Sequence, residues 1–191
     1  GVPRVPRRII ETYRENLLIG SSCLNGEVFE AAMNRSKDVL IKKMSFYDYI
    51  EVQPIENYDF LVNDGQISSI DKIQNVIVDI IDAASEINKP VVATSDCHYV
   101  RPDSKMFRDV YIVAKAVGGM RHTLNPNRRD RQPRYENPNQ HMRSTDEMFD
   151  AFNFLSKEKA FEIIVENTNK IADMVEPLRP IHDKPFPPHI E

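Results

Sequence analysis

The chain has 191 residues, 41% hydrophobic and 28% charged, enough apolar side chain for a packed core and too much for a disordered segment. Lys and Arg number 25 against 29 Asp and Glu, a formal charge of −4, which excludes a module built only to coat nucleic acid, since that would be basic overall. No apolar run reaches the ~18 residues that cross a bilayer, no charged-then-apolar leader opens the chain, and Cys23 and Cys97 are too few for a disulfide scaffold, so a soluble, reduced, cytoplasmic chain is expected.

Ile9, Ile10, Tyr13 and Leu17 share one face at helical spacing, and the apolar run Leu17–Ile19 ends in Gly20-Ser21-Ser22-Cys23, the pattern of a buried strand entering a loop. Residues 27–44 return to helical periodicity, with Asn34-Arg35-Ser36 as a break between two short helices. Tyr49–Gln53 alternates and stops at Pro54, so a strand is expected there. The clearest helix follows a turn at Asn63-Asp64-Gly65: Ser69 as N-cap, then Ile70, Ile73, Ile77, Ile80, Ile81, Ala84 and Ile87 as a wide stripe. Val91–Ser95 reads as a further buried strand. A helix over about 103–117 has Phe107, Val110, Tyr111, Val113, Ala114 and Val117 as its apolar side and stops at Gly118-Gly119.

This alternation implies an α/β fold with a parallel sheet and crossover helices, as a barrel or an open sheet, with strands near 17–22, 48–53 and 91–96. Residues 120–143 break the pattern. Arg121, Arg128, Arg129, Arg131, Arg134 and Arg143 face only Asp130 and Glu136, a local charge of +4 among prolines and amides, so a basic loop is expected. It either meets phosphates, with Tyr135 to stack on a base, or is a solvated loop or one that docks on an acidic neighbouring domain. Ser144 and Ser156 open two helices, the second to about Val175, and the Pro-rich tail reads as a linker. The expected organisation is barrel over 1–119, basic loop over 120–143, helical segment over 144–176 and linker over 177–191.

Ligands of parallel α/β units sit at the carboxyl ends of strands. Asp96 and His98 stand two apart at one such end, where alternation sends both side chains one way, and Cys23 stands at another. Carboxylate, imidazole and thiolate suit zinc, or manganese and iron if more oxygen ligands join. Asp96 and His98 also suit an acid–base pair, or a helix cap beside a packed histidine. Cys23 alone is more often a small buried hydrophobe than a ligand. Cys97, by the same alternation, belongs to the core, and Glu51 reads as a solvated edge residue.

Gly20–Glu27, Tyr49–Pro54 and Ala93–Tyr99, in this order, resemble the PHP (polymerase and histidinol phosphatase) domain of the bacterial DNA polymerase III alpha subunit. Val113–Gly119, Gln132–Tyr135 and Met142–Met148 resemble its PolC type in particular, in the part that follows an exonuclease insertion. The resemblance implies a portion of a distorted (β/α) barrel and a divalent metal site (Zn, Mn or Mg) with Cys23, Asp96 and His98 among its ligands. The remaining ligands, an H-x-H motif and its followers, are not in this sequence. It further implies a fragment of a replicative DNA-directed DNA polymerase, with the exonuclease and polymerase core of the same chain, DNA, the sliding clamp and the replisome as partners, and no membrane. Arg128, Arg129, Arg131 and Arg134 are the expected DNA contacts. A metal-dependent phosphoesterase or 3′–5′ exonuclease, and a structural packing module, are the alternatives.

Overall fold

The computed structural model describes residues 4–63, 65–114, 119–120, 122, 124 and 137–179. Arg128, Arg129, Arg131 and Arg134, Tyr135 and the end of the Pro-rich tail lie outside these residues. The elements are α1 (Arg7–Thr12), α2 (Glu27–Asn34), α3 (Lys37–Met44), β1 (Ile50–Val52), α4 (Asp59–Asn63), α5 (Ile70–Glu86), β2 (Val91–Ala93), α6 (Lys105–Val113), α7 (Thr145–Ala151), α8 (Lys157–Phe161) and α9 (Asn167–Asp173). A π turn over Glu162–Glu166 joins the last two.

The Ser69 hydroxyl accepts the Lys72 amide and starts α5. The stripe of Ile73, Val76, Ile77, Ile80, Ile81, Ala83 and Ala84 is buried, and α5 packs on α2, α3 and β1. Each fully buried Ile contributes about 1.5–3 kcal/mol, so this stripe is a major source of cohesion. Phe29 of α2 stacks on Tyr58 with ring centroids 4.6 Å apart. At the far side, Ser144 and Glu147 form a capping box for α7, and Ser156 accepts the Lys159 amide to start α8.

Two of the three expected strands form, and they pair in parallel: Ile50 opposite Val91, Glu51 opposite Val92, Val52 opposite Ala93. The expected strand over 17–22 reduces to one parallel bridge, Gly20 to Tyr49. Its backbone is held instead by a side chain. Asp48 Oδ2 accepts the Ile19 amide at 2.7 Å, while the Asp48 amide donates to the Ile19 carbonyl at 2.8 Å. Arg14 clamps the same carboxylate through both Nη atoms at 2.7 Å, and also donates to the Leu17 and Phe46 carbonyls. On the other edge of the sheet, Asn167 follows the π turn and its buried Nδ2 donates to the Val91 carbonyl at 2.9 Å.

Two expected apolar faces are not in the core. α1 buries none of its residues, with Ile9 42% and Tyr13 61% exposed. On α6 the side turned inward carries Ile112, and Phe107, Val110 and Tyr111 are 69%, 65% and 63% exposed. Glu27 gathers the N-terminal region: Arg7 pairs with it, Lys43 donates to Oε2 at 2.6 Å and the Tyr47 hydroxyl to Oε1 at 2.9 Å. Burial opposes the Glu27 charge, but these three donors outweigh it and hold the carboxyl below its ordinary range. Tyr47, by burial and by donating to Glu27, is pushed up to about 12.

Burial likewise opposes the Asp48 charge, and the Arg14 and Ile19 hydrogen bonds outweigh it, so its pKa is lowered. A lowered folded-state pKa gives stability that is present above the unfolded value of about 3.9 and is lost as pH falls through the folded value. Asp48→Asn is therefore expected to cost about 1–2 kcal/mol at neutral pH, and wild type and variant should converge as the pH falls through the lowered folded-state value of Asp48. Urea midpoints across that range measure this; a difference independent of pH would refute the electrostatic account.

Candidate functional site

The sheet is so short that loops take over at its carboxyl end almost at once. After the Gly20 bridge, the buried Ser21 hydroxyl accepts the Glu51 amide at 2.9 Å, which fixes the start of the first loop against β1. Ser22 then takes φ 65°, and the Gly26 amide closes a turn on the Cys23 carbonyl at 2.8 Å. A Cβ on Gly26 would lie 2.4 Å from the Ser21 carbonyl oxygen, so glycine is required for this close approach. The result leaves Cys23 half-buried, its sulfur 3.9 Å from Asn25 Nδ2.

After β2, the Thr94 amide still donates to the Val52 carbonyl at 3.0 Å, but Asp96 turns into the left-handed region at φ 48°. The strand alternation expected to carry Asp96, Cys97 and His98 therefore does not apply. Cys97, expected in the core, is exposed for this reason. Asp96 and His98 nevertheless meet, with Asp96 Oδ1 3.7 Å from His98 Nε2. Asp96 Oδ2 accepts Gln140 Nε2 at 3.0 Å. Glu51, expected as a solvated edge residue, is half-buried, and its Oε1 accepts Thr94 Oγ1 at 2.8 Å and Gln53 Nε2 at 3.0 Å.

Cys23, Asp96 and His98 line one cleft of about 330 Å³, together with Asn25, Asn57, Arg108, His122 and Gln140. Asn57 is fully buried; its Nδ2 donates to the Ser95 carbonyl at 3.0 Å, which orients the amide, and its Oδ1 has no hydrogen-bond partner. Arg108 Nε is also buried without a partner, and its guanidinium lies 5.5 Å from the Tyr111 ring centroid. Partial burial and the Arg108 charge lower the pKa of His98, against the pull of Asp96. Burial, Arg108 and His98 lower that of His122. A larger groove, about 1020 Å³, lies between α7 and α8 and is lined by Phe149, Phe152, Leu155 and Phe161; none of the residues expected in the site reaches it.

Thiolate, imidazole, carboxylate and an orphaned amide oxygen fit a borderline divalent cation in kind. They do not close a shell by themselves: among the described residues, no three His, Cys, Asp or Glu side chains are grouped to hold an ion. Asn57, Gln140, Arg108 and His122 escaped sequence reasoning. An amide, an arginine on a helix and a histidine in a loop have no spacing signature, and only the fold brings them to Asp96.

No family model matches the chain. It is 43% identical over 190 residues to the PolC-type DNA polymerase III of Bacillus subtilis and 40% identical over 190 residues to that of Clostridium perfringens, covering 100% and 99% of this chain. The whole chain is homologous to one segment of PolC-type DNA polymerase III. The Lactococcus lactis PolC-type protein matches at 37% over 188 residues. The chain spans about 12% of the length of the first two relatives and 11% of the third. No helix among the described residues is long and apolar enough to cross a membrane.

The loop of Cys23 depends on Gly26, which gives a direct test of how the fold positions that thiol. Gly26→Ala is expected to cost about 1–3 kcal/mol and to displace the loop, raising the rate at which Cys23 reacts with a disulfide reagent in a Cys97→Ser background. An unchanged rate and an unchanged urea midpoint would mean that the loop absorbs the methyl group and that the close approach is not a constraint.

Proposed function

We propose that this chain is the PHP region of a PolC-type DNA polymerase III, a portion of a (β/α) barrel that supports DNA synthesis by the longer protein. The observation that carries this reading is similarity along the whole chain to a segment of that polymerase, supported by the parallel β1–β2 pair with its loops at the carboxyl end. In this reading Cys23, Asp96 and His98 supply part of the ligand set of a divalent metal, Zn, Mn or Mg, and further ligands come from elsewhere in the polymerase chain. When bound, the ion would supply charge neutralisation and Lewis acidity at the cleft. The residues of this chain fix the donors at an open cleft, with Asp96 held by Gln140 and the Arg108 charge acting on the two histidines. The rest of the polymerase chain is the partner in this reading, with DNA, the sliding clamp and the replisome as partners of the whole.

The full-length polymerase tests it. Asp96→Asn is expected to lower the metal retained after gel filtration, to lower the melting temperature and to reduce nucleotide incorporation. Retention, melting and incorporation all matching wild type would remove the metal role. The second reading, a metal-dependent phosphoesterase, is favoured by the Arg108 guanidinium, a cationic donor that lines the same cleft as Asp96 and His122. It requires manganese-dependent release of nucleotides from single-stranded DNA by a polymerase whose exonuclease carboxylates are removed, and loss of that release in Asp96→Asn.

The basic loop enters as the DNA-binding segment of this region. Replacing Arg128, Arg129 and Arg131 in the full-length protein should weaken binding and flatten its salt dependence. The log–log slope should fall by about 0.9 for each duplex phosphate no longer neutralised, or by ~0.7 on single strands. An unchanged slope would assign the loop to docking on a neighbouring domain.

A further inference from the structure

We infer that Gln140 is a positioning residue for Asp96, holding its carboxylate in the orientation the cleft needs; this rests on the metal reading of the cleft given above. Three bonds join Gln140 to the segment that carries Asp96 and His98. Its Nε2 donates to Asp96 Oδ2 at 3.0 Å, its carbonyl accepts the His98 amide at 2.8 Å, and its amide donates to the Tyr99 hydroxyl at 3.0 Å. A parallel bridge between Tyr99 and His141, with the Met142 amide on the Tyr99 carbonyl at 2.9 Å, extends this pairing.

The backbone of Asp96 turns through the left-handed region at φ 48°, which Asp is among the few non-glycine residues to adopt, and this turn takes its side chain off the strand alternation. Gln140 is 5% exposed, so its side-chain bond to Asp96 is shielded from water. With Oδ2 engaged by the Gln140 amide, Oδ1 is the oxygen left facing His98 Nε2 at 3.7 Å. A donor that fixes one carboxylate oxygen while the other is turned toward the cleft is the arrangement by which an outer residue orients a metal-binding carboxylate.

The backbone bonds of Gln140 survive a change of its side chain, so Gln140→Met, which keeps the length and removes the donor without setting a second carboxylate against Asp96, isolates the role. Cobalt(II) is the probe, added to metal-stripped full-length polymerase and followed by its visible absorption and by titration. Gln140→Met is expected to weaken cobalt binding by about 10–100-fold and to shift the d–d bands, while the thiolate charge-transfer band from Cys23 persists and melting of the metal-free protein stays within a few degrees. Gln140→Ala should weaken binding in the same direction. If Gln140→Met binds cobalt as wild type does while Asp96→Asn does not, the positioning role is wrong and the metal reading stands. If Asp96→Asn and Cys23→Ser also bind as wild type does, the metal reading fails and the positioning role fails with it.

Discussion

A parallel sheet of two three-residue strands has more loose backbone ends than ladder bonds, and buried amides and carbonyls must find partners. In this protein side chains provide them. Asp48 takes the Ile19 amide, Ser21 the Glu51 amide, Asn57 the Ser95 carbonyl and Asn167 the Val91 carbonyl. Most of these partners are buried polar residues, which are costly to bury unless they are bonded in this way. The same necessity creates the cleft: where the ladder stops, the polar side chains that replace it gather at the carboxyl end, beside the loops bearing Cys23 and Asp96.

Charge does the corresponding work on the other side of the first loop. Asp48 with Arg14, and Glu27 with Arg7, Lys43 and Tyr47, tie α1, α2, α3 and the Gly20 bridge into one body. Both carboxylates are partly shielded, and both keep their charge because their donors outweigh the loss of hydration. Arg7 also lies 4.0 Å over the Phe46 ring, adding a cation–π contact to the same corner. Glu27 stands in the first turn of α2, where negative charge also suits the helix dipole. The loop from Ser21 to Gly26 is therefore anchored at both ends, by Ser21 on β1 and by Glu27 on α1 and α3.

Much of this was legible in the residues. The α5 stripe with its Ser69 cap, the break between α2 and α3, the strands ahead of Pro54 and after Pro90, and the capped starts of α7 and α8 follow from periodicity and capping chemistry, which are local. The strand ends were not legible, because they depend on partners far along the chain. The run at Leu17 reads as a strand, yet the Asp48 carboxylate replaces its ladder. Alternation beyond Ala93 reads Cys97 as core, yet the left-handed turn at Asp96 exposes it. Cys23, Asp96 and His98 were legible as donor types at strand ends, while Asn57 and Gln140 became visible only when long-range contacts placed them.

The helix faces show a second limit of local reading. α5 and α6 carry the same kind of apolar periodicity, and both are helices, but their stripes have opposite fates: Ile73 and Ile77 are fully buried, and Phe107 and Tyr111 stand in solvent. Periodicity fixes which residues share a face, and that is a property of the helix alone. Whether the face is buried depends on an opposing surface, which α2, α3 and β1 provide for α5. On α6 the body of the protein meets the side bearing Ile112, so the amphipathic stripe and the packed side differ. Helicity follows from the sequence of one element, whereas burial is a relation between two, and only the first could be read before the elements were assembled.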